Sequence, residues 1–95
     1  MANNTVLDYL NSGKREIVGK NVGNCFSEYE KWAEKNHVRC QSFFLFQETM
    51  WYELGLTIQG SDDPYFAKGD EKSYRDSWKV ARALPSHNYM WDDSY

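Results

Sequence analysis

The spacing of apolar positions divides the chain into helix-like and strand-like stretches. Val6, Leu7 and Leu10 follow Asn4, a good N-cap residue, and precede Gly13, which suits a left-handed stop, so residues 5–12 are predicted helical. Cys25, Phe26, Tyr29, Trp32 and Ala33 fall on one side at helical spacing, with Glu28, Glu30, Lys31, Glu34 and Lys35 opposite. That predicts a second helix over 25–36, capped by Asn24 or by a capping box beginning at Ser27. The intervening residues 14–20 form a basic connection around Glu16-Ile17-Val18, read as a short strand and punctuated by Gly19 and Gly23.

From His37 the period changes. The stretch 38–46 ends in Phe43-Phe44-Leu45-Phe46, and Met50, Tyr52, Leu54, Leu56 and Ile58 then alternate with Trp51, Glu53, Gly55, Thr57 and Gln59. Period two marks a half-buried strand, and Gln47-Glu48-Thr49 is short enough to join the two runs as a hairpin. A rival reading makes 42–54 one helix ending at Gly55. Residues 60–69 read as a loop with Ser61-Asp62-Asp63-Pro64 as its turn, and Asp70 caps a helix over 71–84 whose apolar side is Tyr74, Trp78, Ala81 and Leu84. Residues 86–95 are a tail or an edge strand. The expected fold is α+β: a small two-layer domain, residues 1–95, with two N-terminal helices, a central antiparallel hairpin and a C-terminal amphipathic helix.

Composition adds two things. At 95 residues the chain is one domain, yet it carries four Trp, seven Tyr and five Phe. A core this small is not expected to hide so many rings, so some should lie outside, where Trp and Tyr anchor protein–protein contacts. The formal net charge is −3, which argues against a general nucleic-acid binder. The acidity is concentrated in the middle, where Lys68 is the one base among Glu48, Glu53, Asp62, Asp63 and Asp70. The N-terminus lacks the basic and apolar regions of a signal peptide, and no apolar stretch is long enough for a membrane span. A cytoplasmic protein with reduced Cys25 and Cys40 is expected, with no membrane partner.

Catalytic chemistry finds little support. Cys25, His37 and Cys40 could form a thiol–imidazole pair or three zinc ligands, but zinc sites bring close cysteine pairs and four ligands, and His87 is far along the chain. Asp62-Asp63 and Asp92-Asp93 lack the alternating carboxylates and closing Glu of a calcium loop. No phosphate-binding loop, dinucleotide fingerprint or nucleophile elbow is present. No catalytic residue, metal or cofactor is expected, and the chain is not expected to be an enzyme.

Contact chemistry is richer. Asp62 and Asp63 precede Tyr65 and Phe66; Asp92 and Asp93 follow Trp91. Carboxylates beside aromatics suit a basic groove on a partner: charge steers the encounter and rings supply the buried contact. In the strand reading, Trp51 lies on the open face, away from Tyr52, Leu54 and Leu56. The expected function is a protein-binding module of the inhibitor, immunity or phage anti-defence type. It would occlude a basic surface on a larger host or toxin protein through Trp51, Asp62, Asp63, Tyr65, Phe66, Trp91, Asp92 and Asp93. One alternative is nucleic-acid binding by the basic stripe Lys72, Arg75, Lys79 and Arg82 on the last helix. Another is a homo-oligomer that buries aromatics between copies.

Overall fold

The computed structural model describes residues 4–83, with side chains to residue 80. Its elements run α1 (Thr5–Asn11), α2 (Val22–Lys35), α3 (Phe43–Leu54), β1 (Leu56–Gln59), β2 (Tyr65–Lys68) and α4 (Glu71–Ala83). Among the described residues, four helices and one two-stranded antiparallel hairpin give the α+β class expected from the sequence. The hairpin, however, lies at 56–68, between the third and fourth helices. Leu84 and residues 86–95, including Trp91, Asp92 and Asp93, lie outside the described residues.

The strand pair expected across 38–58 is not formed. Residues 43–54 are one helix, capped by Ser42, whose Oγ accepts the Leu45 amide, and stopped by Gly55 at φ 65°. No single amphipathic stripe runs along α3 because two of its flanks are covered, and a helix covered on several sides is apolar on several sides. On one flank Phe43 and Phe46 meet Phe26 of α2 at ring-centroid distances of 5.1 and 5.2 Å. On the other, Phe44 meets Trp78 at 4.1 Å and Trp51 stacks on Tyr74 at 4.5 Å, both from α4. Between those pairs Gln47 Nε2 donates to Ser77 Oγ (2.8 Å), while Gln47 Oε1 is buried with no partner among the described residues. The apparent period of two spans the junction: Met50, Tyr52 and Leu54 are helical, and only Leu56 and Ile58 belong to a strand.

Three other boundaries differ. α2 begins at Val22, capped by Asn21 rather than Asn24 or Ser27; Asn21 Oδ1 accepts the Asn24 amide at 2.9 Å. Residues 16–18 form no strand. Their successors pair with the hairpin instead: the Gly19 amide donates to Phe66 O, the Phe66 amide to Lys20 O and the Val22 amide to Pro64 O. The expected loop 60–69 contains β2, whose Phe66 faces Ile58 in the ladder. Asn4 and Asp70 cap α1 and α4 as their sequence positions predict.

The core runs from Val6 and Leu10 through Phe26, Tyr29 and Phe46 to Leu56, Ile58 and Phe66, all at most 2% exposed. A buried polar knot fastens its far side. Thr5 Oγ1 donates to the Arg39 carbonyl (2.6 Å), leaving the Tyr29 hydroxyl to donate to Thr5 Oγ1 (2.7 Å) and accept the Gln41 amide (2.8 Å). The Thr5 amide donates to Gln41 Oε1 (2.8 Å). These bonds satisfy groups that would otherwise cost about 1–3 kcal/mol each when buried unpaired. They hold the 36–42 loop against α1 and α2. Cys40, expected in a strand, lies exposed on that loop, and Cys25 is buried on α2 as its helical spacing predicts; both are free thiols.

Two positions yield predictions. At Gly69, which follows β2, an added Cβ would stand 2.1 Å from Thr57 Oγ1 and 2.8 Å from Thr57 Cβ. Because Thr57 is fully buried, Gly69→Ala should destabilise by about 1–3 kcal/mol, read as a lower urea midpoint. The end of α2 has the opposite sign. His37 is exposed at φ 56°, and the Val38 amide donates to Ala33 O while the His37 amide donates to Glu34 O, a Schellman closure that favours glycine. Relieving a left-handed residue is worth about 1–2 kcal/mol and added chain entropy takes back about 0.5–1, so His37→Gly should raise stability by roughly 0.5–1 kcal/mol in the same measurement.

Candidate functional site

The sequence-predicted contact residues separate into three groups. Asp62, Asp63 and Tyr65 share the hairpin turn, and all three are exposed. The turn is tied down: Asn21 Nδ2 donates to Asp63 Oδ1, and Asn21 and Tyr65 form a β-bridge beside the Val22–Pro64 bond. Asp62 has no side-chain partner among the described residues, and Tyr65 is 44% exposed. Phe66, expected beside them as an anchor, is fully buried. Strand alternation sends neighbouring side chains to opposite faces, and Phe66 takes the face that meets Phe46 at 6.1 Å.

Trp51 is not on an open sheet face. It is half-buried, stacked on Tyr74 and edge-on to Tyr52 at 4.9 Å. Tyr52, expected on the buried side, is 70% exposed instead. Trp51 sits near the Leu56–Lys68 end of the hairpin and the acidic turn at the Gln59–Tyr65 end. The two were expected to act together; the length of β1, about 10 Å, lies between their ends of the ladder. Among the described aromatics only Tyr52 and Tyr65 are largely exposed. The expected surplus of surface rings is therefore small there, because the rings pack on one another.

On α4, Lys72, Arg75 and Lys79 are exposed, and the Arg82 side chain lies outside the described residues. The stripe is weaker than its spacing implies. Glu71 holds Arg75 at 2.6 Å, and Asp76 is exposed on the same helix.

A feature that the helical pattern hid lies between α1, the 14–20 connection and α2. Two adjoining clefts, about 200 and 250 Å³, share Tyr9, Lys14 and Glu28 in their walls. One continues to Ile17, Lys20 and Cys25, the other to Lys31, Trp32 and Lys35. Glu28, Lys31, Trp32 and Lys35 are spaced i, i+3, i+4 and i+7 and so form one stripe of α2. Reading the charges as a solvated face opposite Trp32 concealed it. Tyr9 packs edge-on against Trp32 at 5.4 Å and Tyr29 at 5.5 Å. Burial, then the nearby Glu28 carboxylate and Cys25, pushes the Tyr9 phenol up to about 12. Burial and Glu28 likewise push the Cys25 thiol up to about 11, which keeps it a poor nucleophile.

Among the described residues no three His, Cys, Asp or Glu side chains converge as a metal would require. No described helix is long and apolar enough to cross a membrane. The chain matches no family model, no curated protein and no solved structure.

Proposed function

We propose that the protein is a binding module that docks its hairpin turn on a basic groove of a larger protein and occludes it, as an inhibitor or immunity-type protein would. The observation that carries this is Tyr65: an exposed aromatic beside Asp62, whose side chain has no partner among the described residues, presented on backbone fixed by the Asn21–Asp63, Val22–Pro64 and Phe66–Lys20 bonds. A ring held in place before binding loses little entropy on contact, which favours affinity. The neighbouring carboxylates steer the encounter with a cationic partner. The anchor set is smaller than the sequence implied, since Phe66 is in the core and Trp51 is stacked on Tyr74.

The turn also decides which variants are clean. Asp63 accepts from the residue that caps α2, so its replacement disturbs the fold; Asp62 and Tyr65 have no such role among the described contacts. Affinity capture from the source lysate, with nuclease in parallel, should retain one stoichiometric, nuclease-resistant protein. Tyr65→Ala should weaken that complex by about 2 kcal/mol, roughly thirtyfold. Asp62→Lys should mainly slow association and reduce its salt dependence. Undiminished affinity of both variants for the captured protein would remove the turn from the interface. Retention of nuclease-sensitive material alone, lost on reversing Lys72 and Lys79, would favour the nucleic-acid alternative on α4.

A further inference from the structure

The cleft between α1 and α2 is chemically unlike the acidic turn. Four lysines line it, Lys14, Lys20, Lys31 and Lys35, against two carboxylates, Glu16 and Glu28. Among the described residues none of those ammonium groups has a carboxylate within ion-pair distance, since the two ion pairs there involve Arg15 and Arg75. A concentration of unpaired positive charge stands out on a chain of net charge −3.

The floor supplies a second, independent observation. Tyr9 is only 4% exposed as a residue, but its hydroxyl, which makes no hydrogen bond among the described residues, keeps its access to solvent, whereas the buried Tyr29 hydroxyl is fully engaged. Tyr9 lines both clefts, so its free hydroxyl belongs to the cavity wall. With its pKa raised to about 12, the phenol stays protonated and able to donate. Trp32 is half-buried beside it and offers an aromatic surface for stacking.

We infer that this cleft binds a small aromatic anion, its ring against Trp32 and Tyr9 and its phosphate or carboxylate among Lys14, Lys31 and Lys35. The size of the clefts fits one ring and one anionic group rather than an extended chain; larger ligands use pockets of about 300–1,000 Å³. Glu28 selects in the same direction. A carboxylate in the wall shared by the two clefts repels a chain of anionic groups lying across both, but leaves a single anionic group free to sit at the lysine end. The site is independent of the docking turn and stands or falls without it.

The test is an amide and indole NMR titration of the full chain with phenyl phosphate, with inorganic phosphate and phenol in parallel. Phenyl phosphate should give saturable shifts at the Trp32 indole and the Lys14 and Glu28 amides, with a Kd of about 0.1–1 mM, and each separate half should bind at least about tenfold more weakly. Lys31→Glu with Lys35→Glu should lose about tenfold or more in affinity, and Lys72→Glu with Lys79→Glu should lose none. Tyr9→Phe is the discriminating variant. It keeps the ring and should leave the ligand-free melting temperature unchanged or higher, yet weaken phenyl phosphate binding by about three- to tenfold, because only the bound state uses the hydroxyl. The inference is overturned by no saturation up to ~10 mM, by equal affinity for inorganic phosphate, or by wild-type affinity in Tyr9→Phe.

Discussion

Burial of α3 on two flanks is the constraint on which the other elements depend. Phe46 meets Phe26, Tyr29, Phe43 and Phe66, so one ring joins α2, α3 and the hairpin. Phe44 and Trp51 carry the other flank to Trp78 and Tyr74 of α4. Truncating a buried Phe costs about 3–5 kcal/mol, a large part of the 5–15 kcal/mol that holds a domain together. A domain this small cannot move such a helix outward without losing its core. The aromatic richness of the chain is thus largely structural among the described residues, and contact chemistry falls to what the core leaves over: the Tyr65 turn, exposed Tyr52 and the lysine-lined cleft.

The caps of α1 and α4 were legible because their chemistry is local, although the same kind of signal placed the α2 cap at Asn24 or Ser27 where Asn21 makes it. Asn4 and Asp70 each satisfy a backbone amide three residues on, and those bonds depend on nothing distant. The amphipathic faces of α2 and α4 were legible because each has a solvent side. α3 was legible only as the rival reading, a helix over 42–54 ending at Gly55, since its second apolar flank is defined by Tyr74 and Trp78, more than twenty residues later in the chain. Apolar positions on both flanks imitate a strand as easily as a helix. Gly55 then ends the helix in a left-handed conformation with a strand immediately after, so the alternation from Met50 to Ile58 passed through the boundary unbroken.

The site shows the same division. Exposure of Asp62 and Tyr65 followed from turn chemistry at Asp62-Asp63-Pro64. The loss of Phe66 to the core did not, because it needs the register that pairs it with Ile58. The cleft was present in the spacing of Glu28, Lys31, Trp32 and Lys35, but charges on a helix are usually solvated. Only the third wall, from Tyr9 and Lys14, distinguishes a cavity from a surface stripe. The segment 19–22 joins the two features. Its backbone pairs with residues 64–66 beside the acidic turn, while Lys20 lines the basic cleft. Opposite charges therefore lie on either side of one fixed strip of chain.

Native-state hydrogen exchange on α3 tests the central claim most directly. If α3 is held on both flanks, its amides from Phe46 to Leu54 can open only when the whole domain does. Their exchange free energies should then equal the unfolding free energy from urea titration and exceed those of the short helix α1. Exchange of the α3 amides through a smaller, local opening, with α1 or α2 still protected, would contradict a fold organised around that helix.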